Sequence, residues 1–231
     1  MRDVYYEQLE RLADRLLDMS RMVGEAMDRA TMAMSGADLE LAGLVVAGNA
    51  RVEQTRVDAE DHAYALLAAR SPAATDPRVA VAAIQAATSL ERMGRLAVHV
   101  AEAVQRRYPQ PVVPSPLMPR FTEMGRIAVW LATMAGQVIV RRDATLARAL
   151  VSVDDEMDDL HRTLFTVIDY REWTYGAATA VDVTLLSRFY ERFADHAVSL
   201  AWHSTFLVPR QSPTKDPLPL TTPLQTANTP C

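Results

Sequence analysis

Residues 90–101 (LERMGRLAVHVA) and 190–201 (YERFADHAVSLA) are two copies of one short pattern about 100 residues apart. A segment that recurs at such an offset means the chain holds two copies of one packing unit. The copies differ at a charged position. Glu191 and Asp195 stand four apart on an otherwise apolar segment, whereas the matching pair is Glu91 and Arg95. A second pair of segments repeats in the same way, with Asn49 and Glu53 in one half and Asp154 and Asp158 in the other. Each half therefore carries two polar pairs at the i,i+4 spacing of neighbours on a helix face.

Glycine and proline are nearly absent from long windows dominated by Ala, Leu, Arg and Glu, and no polar/apolar alternation persists, so the chain is predicted to be all-α. The first helix is expected from Val4 to Met34, with Leu9, Leu12, Leu16, Met19, Val23, Met27 and Ala30 on one face. Gly36 is expected to end it and Asp38 to cap a second helix running to Ala69. Ser71-Pro72 should break that helix. Asp76-Pro77 suits the start of a third, because the Asp side chain accepts free backbone N–H groups and proline at the first position loses nothing by lacking one. That helix is expected to run to Arg107. Five prolines between Pro109 and Pro119 predict a linker. Three more helices follow, over 120–142, from the Asp143 cap to Asp169, and over 177–207. The expected architecture is a tandem pair of three-helix, spectrin-like up-down-up bundles. Residues 1–108 form the first, 109–119 the linker and 120–208 the second, with a disordered Pro/Thr-rich tail over 209–231.

With 49% hydrophobic residues the chain can bury a real core, while a net charge of −5 argues against nucleic acid as its main partner. The single cysteine, Cys231, allows no internal disulfide and suits a reducing compartment. The charged, periodic opening lacks the apolar stretch of a signal peptide. The run from Ile127 to Val140, interrupted by Gln137, is too short to cross a bilayer unaided and reads as a buried helix. A soluble, intracellular protein is expected. No Gly-rich phosphate loop, HExxH or nucleophile elbow is present, and nothing points to catalysis.

The chemistry rests on the carboxylates. Two acids one helical turn apart repel each other, so Asp154/Asp158 and Glu191/Asp195 each cost stability unless something positive compensates. If helices 5 and 6 pack with these faces together, the four acids converge, and a bound cation relieves the repulsion. An all-oxygen donor set suits Mg²⁺, Mn²⁺ or iron, and His161, His196 and Asp159 are near enough in sequence to join and admit Zn²⁺. Solvated helix surface, with Arg188 or Arg192 pairing Glu191, is the competing reading. In the first half only Glu53 and Glu91 remain acidic. Arg95 brings a fixed positive charge to the place of an ion and Asn49 replaces an acid, so that site is expected to be metal-poor or empty. His62, His99 and His203 have no second ligand at metal spacing and read as ordinary histidines.

These residues together resemble the PhoU family, whose members carry a duplicated motif of the form LERIGDxAxNIAE. Here the copies are Leu90–Glu102 and Tyr190–Ala201, and Arg2, Tyr5, Tyr6, Leu9, Leu12 and Met22–Met27 resemble the family's first helix. Thr75–Arg78 sits where the family has DLR. Ser89 and Arg95 depart from its usual Asp, and Asn49 from its frequent Asp. The resemblance spans residues 1–207 and implies tandem three-helix bundles, with Asp154, Asp158, Glu191 and Asp195 as metal-site residues. It also implies a cytoplasmic, dimeric, non-enzymatic regulator acting between the Pst phosphate transporter ATPase and a PhoR-type sensor kinase. Such a regulator represses phosphate uptake and the phosphate-starvation response, and meets the membrane only through those partners. Two other classes are weighed. A ferritin-like carboxylate protein wants Glu-x-x-His on two helices, and only Asp158-Asp-Leu-His161 approaches it. A metal-free helical scaffold would make the acids surface decoration.

Overall fold

Leu9, Leu12, Leu16, Met19, Val23, Met27 and Ala30 recur every three or four residues, and all are buried on one face of α1 (Arg2–Gly36). The computed structural model describes residues 2–68, 77–141, 143–168 and 173–205. Five further helices follow: α2 (Leu39–Ala68), α3 (Pro77–Arg107), α4 (Met118–Arg141), α5 (Ala144–Ile168) and α6 (Gly176–Thr205). The fold is all-α, and the ends of α1 and α3 and the starts of α2, α4, α5 and α6 lie within two residues of the expected positions. The break at Ser71-Pro72, the Asp76 cap, the tail over 209–231 and Cys231 lie outside the described residues.

Local chemistry sets the helix ends. Asp38 accepts a hydrogen bond from the Leu41 amide at 2.9 Å, and Asp143 accepts from Thr145 and Leu146 at 2.8 and 3.1 Å. Each cap is worth about 1 kcal/mol. One end differs from expectation. Gly36 stays inside α1, and Ala37 takes the left-handed position with φ 47°, while the Asp38 amide closes back on the Ala33 carbonyl at 2.9 Å. A side chain there costs about 1 kcal/mol, which the closing hydrogen bond and the Asp38 cap offset.

The halves are joined along their length. Helices α1, α3, α4 and α6 form a central layer, with α1 packed on α4 and α3 on α6. The outer helices are α2, which among the described helices touches α1 and α3 alone, and α5, which touches α4 and α6 alone. Ser20 on α1 donates to the Ala132 carbonyl on α4 at 2.6 Å, while Thr31, eleven residues on, lies against Gly125, so these helices run antiparallel. Close approach needs small residues. A Cβ on Gly125 would stand 2.6 Å from Thr31 Cγ2, and one on Gly136 2.7 Å from Ser20 Oγ. Thr31 and Tyr190 share a buried hydrogen bond of 2.7 Å that ties α1 to α6. Toward the start of α6, Arg107 Nε donates to Asp182 at 2.6 Å, pinning α3 to α6. The proline-rich segment is not a free spacer: Val112, Val113 and Leu117 are buried, and a 3-10 turn over Ser115–Leu117 leads into α4. Among the described residues no helix is long and apolar enough to cross a membrane. The Ile127–Val140 run lies in α4, with Ile127, Leu131, Val138 and Ile139 buried.

Candidate metal centre

Helix α5 buries Leu150, Met157 and Leu164 at heptad spacing, and α6 buries Tyr190, Phe193, Ala194 and Ala197. Burial of those stripes fixes the rotation of both helices. Asp154 and Asp158 then lie half-buried at the edge of the α5 stripe, and Glu191, with a side chain 12% exposed, lies at the edge of the α6 stripe. Asp195, one turn further along, is exposed.

Asp154 and Glu191 carry the electrostatic strain of this seam. Burial, then the charges of Asp195, Asp158, Asp155 and Glu191, push the Asp154 carboxyl up to about 7. Burial also raises Glu191, with Asp195 and Asp158 adding to it while Arg188 and Arg192 pull the other way. Glu191 Oε1 pairs with Arg188, while Oε2 is buried without a hydrogen-bond partner. Arg162 reaches Asp158 only at 3.8 Å. Four carboxylates thus share a seam with too little positive charge. Among the described residues, though, no three His, Cys, Asp or Glu side chains are arranged as a finished coordination shell. An all-oxygen donor set is the kind a hard cation takes, and the orphaned Glu191 oxygen is the one unsatisfied acceptor of the seam among the described residues.

The extra ligands expected from sequence proximity do not all join. Asp159 points out and pairs with Arg162 at 2.6 Å, its side chain 70% exposed. His196 feels Arg92 of α3 and is lowered mainly by its own burial. The reason is helical: one residue along is a rotation of about 100°, so the neighbours of Asp158 and Asp195 face elsewhere. His161 contacts Ser187 Oγ at 3.0 Å and stacks edge-on against Phe165. Of the remaining histidines, His62 meets Gln8 at 2.9 Å and His99 meets Glu102 at 3.2 Å.

The matching seam between α2 and α3 has a different content. Glu91 pairs with Arg95 at 2.7 Å, Arg95 lies 3.8 Å from Glu53, and Asn49 Nδ2 donates to Glu53 at 3.0 Å. Asn49 Oδ1 is buried without a partner, pressed toward Gly94, where a Cβ would lie 2.8 Å from it. Arg56, bonded to Glu60, also feels Glu91 and Glu53. Sequence reasoning missed Arg56. Its signal was available, three residues after Glu53 on the same face and opposite His161 in the repeat.

The charge on Asp154 has a measurable consequence for metal-free protein. A carboxyl raised to about 7 keeps its proton in the folded chain while the unfolded chain releases it near pH 4. The folded state therefore binds more protons in that window, and stability falls as pH rises from about 4 to about 7. Solvent screening of a half-buried group limits the loss to about 1–2 kcal/mol. In chelator-treated protein, urea midpoints should drop between about pH 4 and about pH 7, and Asp154→Asn should flatten that slope. An identical slope in the variant would contradict this electrostatic account.

The family model described as the PhoU domain matches the chain twice, over residues 16–104 and 121–202. The Mycobacterium tuberculosis protein named phosphate-specific transport system accessory protein PhoU homolog 2 is 49% identical over 201 residues, covering 87% of this chain and 94% of its own. The Mycobacterium leprae PhoU homolog 1 is 46% identical over 219 residues, covering 95% and 99%. Among solved structures, PhoU of Streptococcus pneumoniae superposes with a TM-score of 0.78 at 20% identity, covering 88% of this chain and 96% of its own. PhoU of Pseudomonas aeruginosa gives 0.75 at 24% identity, covering 88% and 98%; both likenesses speak for the fold. Repeat and fold define a duplicated six-helix bundle with charged pairs on its two outer seams. The chain belongs to the PhoU family.

Proposed function

We propose that this chain is a cytoplasmic regulator of phosphate homeostasis, an adaptor between the Pst transporter ATPase and a PhoR-type sensor kinase. In plentiful phosphate it keeps the kinase from activating its response regulator, so phosphate uptake and starvation genes stay off. The observation that carries this is the near full-length similarity to mycobacterial proteins named as accessory to phosphate-specific transport. In this reading the chain is a dimeric adaptor that acts by binding rather than catalysis. A central four-helix layer holds two outer helices, each packed on only two neighbours and presenting its other side to solvent. Leu44 and Tyr64 on α2, and Phe165 on α5, are among the large apolar side chains exposed there.

In this reading Asp154, Asp158, Glu191 and Asp195 hold a hard cation, Mg²⁺, Mn²⁺ or an iron ion, and His161 would admit Zn²⁺. Bound there, the ion supplies positive charge that ties α5 to α6. The residues do the rest: Glu191 offers its orphaned oxygen, and Arg188 holds the other oxygen of that carboxylate in place.

Deleting the gene, with any second copy also removed, should derepress phosphate-uptake genes in phosphate-rich medium. Unchanged transcript levels under those conditions would refute the regulatory role.

A further inference from the structure

Arg107 at the end of α3 meets Asp182 near the start of α6, so these helices run antiparallel and the start of α3 lies against the end of α6. At that end an apolar groove of about 330 Å³ lies between the two halves of the chain. Pro77, Arg78, Val81, Ala82 and Gln85 line it from one face of α3, and His203 lines it from the last turn of α6. Val81 is 47% exposed, and Trp202, next to His203, is 45% exposed. His203 Nδ1 is buried without a hydrogen-bond partner. An unpaired ring nitrogen beside an apolar groove suits a backbone group of a bound segment, because imidazole donates to a carbonyl or accepts from an amide in its two tautomers.

We propose that this groove is the docking site of the chain's own proline-rich segment, residues 217–224 (PLPLTTPL). Pro217, Pro219 and Pro223 favour a polyproline II conformation, whose backbone makes no internal hydrogen bonds and offers its carbonyls outward. Such segments bind apolar grooves that present an aromatic ring and a hydrogen-bonding side chain, and proline's fixed φ leaves little backbone entropy to lose on docking. The lengths agree. The groove follows α3 from Pro77 to Gln85, about 12 Å, and four polyproline II residues at about 3.1 Å each cover that distance. Leu218 and Leu220 supply apolar side chains for Val81 and Ala82. The tether is short as well: residues 206–216 separate α6 from Pro217, and extended they reach about 35 Å, ample to turn back onto His203. A tether of this kind sets an effective concentration on the order of 1 mM, so a contact that is weak between separate molecules is largely formed within one chain. Docked there, the segment straps the start of α3 in the first half to the end of α6 in the second.

The test uses full-length protein and two readouts: amide exchange over residues 79–85, and fluorescence anisotropy of a fluorescein-labelled peptide of residues 212–225. Leu218→Ser/Leu220→Ser should speed exchange over 79–85 several-fold while leaving the core of α1 unchanged. That variant should also bind the peptide about tenfold more tightly than wild type, in which the chain's own segment competes from its high effective concentration. Adding Val81→Asp, at a position already open to solvent, should abolish peptide binding in protein still folded by circular dichroism, and Val81→Ser, the milder change, should weaken it. Both readouts are required. Equal exchange in wild type and tail variant overturns the inference, as does a peptide that binds neither, binds both alike or ignores the Val81 changes. Slow exchange that survives the tail substitutions and grows with protein concentration assigns the groove to a second copy of the chain. Slow exchange that survives them at every concentration assigns it to residues 69–76. Either result overturns the inference.

Discussion

Gly125→Val should lower the unfolding midpoint by about 10 °C. Gly125 faces Thr31 across the α1–α4 contact, and a Cβ there would lie 2.6 to 3.1 Å from three Thr31 atoms, including its own Cβ. A rotamer change at Thr31 cannot relieve that crowding, because Thr31 Cβ does not move with χ1. Thr31 is also held on both sides, donating to the Met27 carbonyl at 2.8 Å and sharing the buried 2.7 Å bond with Tyr190. Displacing it strands the Tyr190 hydroxyl, which is buried at 0% exposure. Overpacking plus an unsatisfied buried hydroxyl amounts to about 3 kcal/mol, while the helix propensity gained over glycine returns less than 1 kcal/mol. Gly48→Ala is the control. Nothing lies within 4 Å of a Cβ at Gly48, so alanine there should stabilise the protein by about 0.5–1 kcal/mol. Calorimetry on the two variants reads both signs, and a Gly125→Val midpoint equal to wild type would mean that α1 and α4 are further apart than described.

That contact also marks where sequence reasoning stopped. The α1 stripe, both aspartate caps and the six helices follow from apolar periodicity and capping chemistry, which are local. The joining of the halves through α1–α4 and α3–α6 depends on Gly125, Gly136 and Ala132 permitting close approach, and small residues leave no periodic trace. The proline segment looked like a spacer because five prolines mask two valines and a leucine that anchor it. In the acidic seam, the i,i+4 pairs and the repeat were enough to bring the charges of Asp158, Glu191 and Asp195 to bear on Asp154 and to set Arg95 beside Glu53 and Glu91, but among the described residues no three of the acids close into a metal-holding group. Asp159 and His196 were chosen by proximity in sequence, and helical rotation carried them away.

The second large effect concerns the acidic seam itself. An ion that binds the folded chain at about 100 times its dissociation constant adds about 2.7 kcal/mol, or about 5–10 °C in midpoint for a chain of this size. Removing acids has opposite consequences with and without metal. In chelator, Asp158→Ala/Asp195→Ala relieves repulsion on Asp154 and Glu191 and should be at least as stable as wild type. With metal present, it should lose the ion-dependent rise altogether.

Metal content therefore tests the account most directly. Wild type and Asp158→Ala/Asp195→Ala, purified side by side without chelator, should differ in bound metal, the wild type carrying an ion and the double variant almost none. Equal metal content in the two proteins would contradict the claim that the α5–α6 carboxylates hold a cation.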